Sequence, residues 1–297
     1  MTYDAIIIGG SYAGLAAGLQ LARARRRVLV VDAGVRRNRF AQASHGFLTQ
    51  DGRLAADIAA EGRSQLMAYD NVEWRSGEAK RAEATQEGFR VTVGATGREE
   101  TGRRLILALG VRDDLPDIPG LEERWGKSVF HCPYCHGYEL NRGRIGVLAT
   151  SPNSMHHAMM LPDWGPTALF LNGSFTPDPE QIAQLRRRGV TVDDGIVDRL
   201  DGEGANVIMR DGRVVPLDGL FTATRTRVAS PIAEQLGCAF DDGPMGAFIR
   251  TDAMKATTIS GVFACGDAAR MAGSVSLAVG DGALAGAAAH QSLIFGG

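Results

Sequence analysis

The first forty residues constrain the fold of this chain more than any other stretch. Tyr3 to Ile8 is a short, nearly continuous apolar run, as expected of a parallel strand buried on both faces. Gly9-Gly10-Ser11-Tyr12-Ala13-Gly14 breaks the run, and an Ala/Leu-rich helical stretch follows to about Arg25. Val28-Leu29-Val30-Val31-Asp32 then reads as a second strand ending in an acid. A dinucleotide's pyrophosphate needs close backbone approach and a helix N-terminus, and its ribose hydroxyls need a carboxylate about 20 residues on. Gly9, Gly14 and Asp32 occupy those places, while Ser11 stands where the middle glycine of G-x-G-x-x-G belongs and is small enough to keep the approach.

Composition narrows the function. At 297 residues the chain suits one large or two ordinary domains. With 32 basic against 34 acidic residues there is no electrostatic footprint for nucleic acid or an anionic membrane, so the expected partner is a small molecule or a protein. The 38 glycines suit an α/β protein in which backbone passes close to a ligand. No apolar run reaches the ~18 residues of a membrane span, and the N-terminus enters a strand directly, without a charged leader. The expectation is a soluble, cytoplasmic protein in a reducing compartment, where a CxxC pair is catalytic rather than structural.

Such a pair lies mid-chain, at Cys132-Pro133-Tyr134-Cys135, followed at once by His136. Two cysteines at this spacing close a small disulfide, and a following imidazole and a helix N-terminus are the groups that lower a thiol pKa. Zinc would need a second Cys or His pair, but Cys238 and Cys265 are isolated and read as small buried hydrophobes. Met155-His156-His157 with Met159-Met160 is not a metal cluster either, because adjacent histidines on a helix point about 100° apart. No metal is expected.

A third element lies near the C-terminus. Gly261-Val262-Phe263-Ala264-Cys265-Gly266-Asp267 reads as a strand ending in Gly-Asp, then Gly273-Ser274-Val275-Ser276 and a small-residue helix from about Leu277 to His290. A helix N-terminus there is a place where negative charge on a ligand would be stabilised.

The order Gly9–Gly14, Ala108-Leu109-Gly110, Cys132–Cys135 and Gly266-Asp267 resembles the low-molecular-weight thioredoxin reductase family across essentially the whole chain. The resemblance implies an α/β fold of two Rossmann-like three-layer domains, of the FAD/NAD(P)-binding type, the second inserted in the first. Residues 1–115 plus 226–297 would form the FAD-binding domain, and 116–225 a pyridine-nucleotide-type domain carrying the CxxC. The cofactor implied is FAD, held by Gly9, Ser11, Gly14, Asp32, Gly110, Gly266, Asp267 and Ser276. Pro-rich Leu115–Gly120 and the strand end Phe221–Arg225 are the implied joints, and a homodimer is implied as well. Residues His45–Leu48 and Gln50–Gly52 resemble a loop near the flavin in the family. Arg36, Arg37 and Arg39 follow the ribose acid, at the FAD adenine side or in solvent.

The insert departs from that pattern. Arg144 to Ala149 reads as a strand, but the turn after it is Thr150-Ser151-Pro152-Asn153-Ser154 instead of G-x-G-x-x-G/A. Proline has no amide proton, and Cβ atoms hinder approach to a pyrophosphate. After a second strand, Ala168 to Leu171, Asn172-Gly173-Ser174 stands where a cation cluster would grip a 2′-phosphate, and Arg186-Arg187-Arg188 reads as a solvated helix end. Together with the Cys-Pro-Tyr-Cys-His-Gly-Tyr-Glu run, these losses make the chain similar to the thioredoxin-reductase-like dithiol oxidases that close disulfides in gliotoxin, holomycin and romidepsin. The resemblance implies electrons passing from a small-molecule dithiol, or a small redox protein, to the Cys132–Cys135 disulfide, to FAD, and to oxygen or another acceptor. Cys132 would be the sulfur attacked, Cys135 the one facing the flavin, and His136, where thioredoxin reductases carry aspartate, the base with a near-neutral pKa. His131 and His45 read as structural. The alternative is a disulfide reductase fed by NADPH or another donor.

Overall fold

The computed structural model describes residues 2–296. The chain is α/β, with two Rossmann-like units built on parallel sheets. Residues 1–39, 47–112 and 226–297 form one compact unit, and residues 40–46 with 113–225 form the other. The chain passes between them on either side of residues 40–46 and again within the strands Val111–Asp114 and Arg225–Val228.

In the first unit, parallel strands run in the order Val72–Ser76, Val28–Asp32, Tyr3–Ile8 and Arg98–Leu107, and Val262–Ala264 pairs alongside the far end of the last. The antiparallel hairpin Ala79–Thr85 and Gly88–Val93 extends Arg98–Leu107. The period of two along the first strand sends Ala5 and Ile7 to a core shared with the helices, and Ile6 and Ile8 to a core shared with Phe89, Val91 and Ile232. Both faces are therefore covered, which is why the strand reads as an unbroken apolar run. Each fully buried isoleucine stabilises this arrangement by roughly 1.5–3 kcal/mol.

The first helix spans Tyr12–Arg23, two residues shorter than its composition suggests. Arg25 turns left-handed at φ 57°, and Asn71 Nδ2 donates to the carbonyls of Ala22 (3.0 Å) and Arg26 (2.8 Å), closing the helix from another part of the chain. Beyond it, Arg27 lies 4.7 Å over the Tyr3 ring and pairs with Glu73 at 2.9 Å. The C-terminal helix runs Val275–Phe295, past the expected His290. Ser274 caps it by accepting the Leu277 N–H at 3.2 Å, and Arg104 holds its last turn through Ser292 Oγ and the Ser292 carbonyl, both at 2.8 Å. It lies directly on the first helix, because a Cβ at Gly282 or Gly286 would strike the backbone of Ala13 or Ala17.

The second unit has five parallel strands in the order Val129–Phe130, Gly219–Thr222, Ile145–Leu148, Thr167–Phe170 and Thr191–Asp193. One face packs on the helices Ser154–Met160 and Pro179–Arg187 through Phe130, Val147, Leu169, Phe221, Ala158 and Leu185. The other face packs on the antiparallel strands Val197–Asp201, Asn206–Met209 and Val214–Val215, whose turns carry Gly202 and Gly212. Residues 40–46 also belong here, with Phe40 against Gly126. Nothing in their sequence announces this, since the contact is made to residues some eighty positions away.

Candidate functional site

Cys132 and Cys135 form a disulfide with their Cα atoms 5.3 Å apart. Cys132 is the N-cap of a single helical turn, Pro133–His136, with Pro133 at its first position, and Cys135 N–H donates to the Cys132 carbonyl at 3.2 Å. The i, i+3 spacing on that turn brings the two sulfurs to one side. One turn aligns few peptide dipoles, so it contributes much less to activating Cys132 than a full helix would.

His136 ends the turn and stacks on Phe130, with ring centroids 4.3 Å apart and planes 18° apart. Burial first, and the nearby His45 second, push its pKa down to about 4. This corrects the sequence expectation of a near-neutral value, since lone-residue reading has no access to the desolvation of the ring. At neutral pH the imidazole is uncharged. It has a lone pair for a thiol proton and no positive charge to offer a thiolate. His45 Nδ1 lies 3.4 Å from Glu139 Oε1, three residues past His136, and His131 stacks on Trp125 at 5.9 Å. Tyr134 and Tyr138, beside the disulfide, are 73% and 85% exposed.

His157 is likewise pushed down to about 4, by burial and then by the adjacent His156. The two histidines give an acid-stability prediction. Their folded pKa values lie below the unfolded value, so the unfolded chain binds more protons as pH falls. The stability each contributes is complete above roughly pH 6.5 and is lost as pH falls to about 4, with an upper bound of about 3 kcal/mol per ring. Urea unfolding at pH 7 and pH 5 measures this; His157→Phe should flatten the dependence, and an equally steep profile in that variant would refute the assignment.

The predicted cofactor residues all lie in the first unit. Gly9 adopts φ 106°, reachable without strain only by glycine, and a Cβ on Gly14 would collide with its carbonyl. Gly10 N–H donates to Asp32 Oδ1 at 3.0 Å, so the acid that ends the second strand fastens the turn. Ser11 is the N-cap of the first helix; its carbonyl accepts from Leu15 N–H at 2.8 Å, its side chain makes no capping bond, and the first turn carries no acid. Gly266 abuts Ala13, which places the Gly-Asp turn beside that helix N-terminus, and Asp267 pairs with Arg37 at 3.2 Å. Gly110 has φ 66°, and Ser276 is the second residue of the C-terminal helix.

The corresponding turn of the second unit is closed on itself. Thr150 N–H donates to Ser154 Oγ (3.1 Å), Asn153 N–H to Ser151 Oγ (3.3 Å), Ser154 N–H to the Ser151 carbonyl (3.0 Å) and Met155 N–H to the Pro152 carbonyl (3.1 Å). After Thr167–Phe170, Asn172 Oδ1 accepts from Val197 N–H at 2.9 Å. Arg188 is held by Asp163 at 2.7 Å and the Met159 carbonyl at 3.0 Å, while Arg186 and Arg187 are exposed.

The chain matches the family described as pyridine nucleotide-disulphide oxidoreductase over residues 3–160 and 169–282. It belongs to that family. It is an oxidoreductase, and its cofactor is FAD. It is 33% identical over 307 residues to the thioredoxin reductase tcpT of Claviceps purpurea, covering 98% of this chain and 94% of that one. The crystal structure of an oxidoreductase from Agrobacterium tumefaciens is 56% identical and superposes with a TM-score of 0.97 over 100% of both chains. That of HlmI is 35% identical, with a TM-score of 0.91 over 99% of this chain and 93% of the other.

The first unit of this oxidoreductase fits FAD. Besides the uncapped helix start, Arg36 Nε, just past Asp32, is buried without a hydrogen-bond partner among the described residues, as befits a donor for an anionic or purine ligand. Among the described residues no group of three or more His, Cys, Asp or Glu is arranged to hold a metal, and no helix is long and apolar enough to cross a membrane.

Proposed function

We propose that the chain is an FAD-dependent dithiol oxidase that closes a disulfide in a small-molecule dithiol. The observation that carries this reading is the self-closed turn at Thr150–Met155, where the amides of Thr150, Asn153, Ser154 and Met155 are spent on the chain's own oxygens and Pro152 has none to offer. The absence of any cation from 171 to 178 points the same way. A pyridine nucleotide would have to displace those bonds and find its phosphates unpaired. The first unit is the FAD-binding domain in this reading, with Gly9, Ser11, Gly14, Asp32, Gly110, Gly266, Asp267 and Ser276 around the cofactor.

The chemistry on the protein's side begins with a substrate thiolate attacking Cys132 Sγ, which breaks the Cys132–Cys135 bond and leaves the electron pair on Cys135 as thiolate. The second substrate thiol attacks the mixed disulfide, releasing oxidised product and the Cys132 thiolate. Substrate loses two electrons and two protons, and the enzyme disulfide gains the two electrons. Neutral His136 accepts a thiol proton during the attack; its low basicity makes it a transient acceptor that passes the proton on quickly. FAD, when bound, supplies the two-electron acceptor that returns the cysteines to the disulfide.

The thioredoxin reductase name of the Claviceps purpurea relative favours a second reading, a disulfide reductase drawing on NADPH or another donor. An anaerobic titration of the holoenzyme, following flavin absorbance, separates the two. The expected result is bleaching by dithiothreitol, reversed by air, and none by NADPH. Rapid stoichiometric bleaching by NADPH would return the chain to the reductases.

A further inference from the structure

Asp281 is a buried acid in the C-terminal helix, 6% exposed, and neither the cofactor turns nor the thiol chemistry described above uses it. Its Oδ1 takes two cations, Arg270 Nη1 at 2.8 Å and Lys255 Nζ at 2.9 Å, while its Oδ2 is buried without a hydrogen-bond partner among the described residues. Such a cluster is a poor source of stability, because desolvating the charges offsets their attraction and apolar side chains of similar size would avoid that cost. What it fixes is geometry. Lys255 and Arg270 bracket the strand Val262–Ala264 and the Gly266-Asp267 turn that follows it. The Lys255 carbonyl accepts from Ala264 N–H at 3.0 Å, at the end of that strand, and Lys255 itself is left-handed at φ 66°, an unfavourable conformation for lysine. Asp252 Oδ1 holds the backbone in that shape by accepting from the amides of Met254 (2.8 Å) and Ala256 (2.9 Å).

We propose that Asp281 is a positioning residue of the FAD site, clamping the Gly266-Asp267 turn from both flanks through Lys255 and Arg270. The inference rests on the proposed function in that Gly266 and Asp267 are FAD contacts there. The Asp267 side chain is already fixed, by Arg37 at 3.2 Å and by Gly273, where a Cβ would strike its carboxylate. The two ion pairs fix the backbone that carries it. Arg270 lies three residues past Asp267, and its Nε also donates to the Ala272 carbonyl at 3.3 Å. Asp281 refers this segment to the first helix: its neighbour Gly282 is pressed on the backbone of Ala13, and Gly266 abuts the Ala13 side chain. The turn and the helix N-terminus are thereby held in one frame before the cofactor arrives, which lowers the ordering cost of binding it.

The test is the rate at which the diluted holoenzyme releases FAD, read from the rise in free-flavin fluorescence, together with the visible circular dichroism of the bound flavin. Asp281→Asn strands two cations, so the primary variant is Arg270→Gln, which leaves Lys255 to neutralise Asp281. Arg270→Gln is expected to release FAD about tenfold faster, the size of one lost charge-assisted hydrogen bond, and to change the flavin signal. Arg270→Lys, which keeps a cation, should return both to within about threefold of wild type. In an Asp281→Asn background, adding Arg270→Gln should speed release no further, because the partner is already gone. A wild-type release rate in Arg270→Gln, an unchanged flavin signal beside faster release, an Arg270→Lys protein as fast as Arg270→Gln, or effects that multiply in the double variant each overturn the clamp. Asp267→Ala separates this from the site reading. If that protein releases FAD at the wild-type rate, the assignment of Asp267 as an FAD contact falls, and the Arg270 variants still decide whether the clamp acts on the cofactor.

Discussion

Cys132→Ser is expected to lower dithiol turnover by more than about a thousandfold, because a serine hydroxyl neither forms the disulfide nor accepts a thiolate. The loss should be chemical and not structural. Cys132 is partly exposed on a one-turn helix, the Cys135 N–H to Cys132 carbonyl bond is made by backbone, and the FAD-side turns lie in the other unit. The variant should therefore remain yellow, keep its urea midpoint near that of the reduced wild type, and show no bleaching on addition of dithiothreitol under nitrogen. Cys135→Ser should differ in kind: Cys132 is left as a free thiol, able to hold a mixed disulfide with an activated substrate but unable to complete the cycle. Measurable turnover in Cys132→Ser would mean that the substrate delivers electrons without the cysteine pair, and the proposed mechanism would have to be abandoned.

Gly14→Ala is expected to cost about 3 kcal/mol of stability and most of the bound FAD, at the upper end of what overpacking usually costs. The added Cβ points at the carbonyl of Gly9, which is backbone and has no rotamer to yield. Gly9 cannot retreat, because it adopts φ 106° and is pressed against the Ala108 carbonyl. The turn would open, taking the Gly10 to Asp32 bond with it. Gly280→Ala is the control, since nothing lies within 4 Å of its added Cβ and it sits inside the helix Val275–Phe295. That change should be neutral or stabilise by up to about 1 kcal/mol through helix propensity. Urea unfolding of the holoenzyme and flavin absorbance per mole of protein measure both; a Gly14→Ala protein with full flavin and an unchanged midpoint would show that the turn is not a rigid cradle.

Much of the first unit is written locally. The strand Tyr3–Ile8, the glycine turn and the acid closing Val28–Asp32 follow from residue order, because strand, turn and helix propensities act over a few neighbours. Helix ends were less legible. Asn71 closes the first helix from some fifty residues away, and Arg104 extends the last one by its grip on Ser292. Neither partner is near in sequence, and local pattern alone stops the first helix too late and the last one too early.

By itself the sequence determined the pairing of Cys132 with Cys135, since three residues of separation on one turn leave little choice, and it determined that the second unit's turn lacks a nucleotide fingerprint, since Pro152 and the missing glycines are a matter of composition. Only the tertiary structure decided that residues 40–46 join the second unit, and that burial pushes the pKa values of His136 and His157 down to about 4. Each of these depends on burial and on partners distant in the chain. Desolvation and long-range hydrogen bonds are properties of the packed fold, and no window of neighbouring residues contains them.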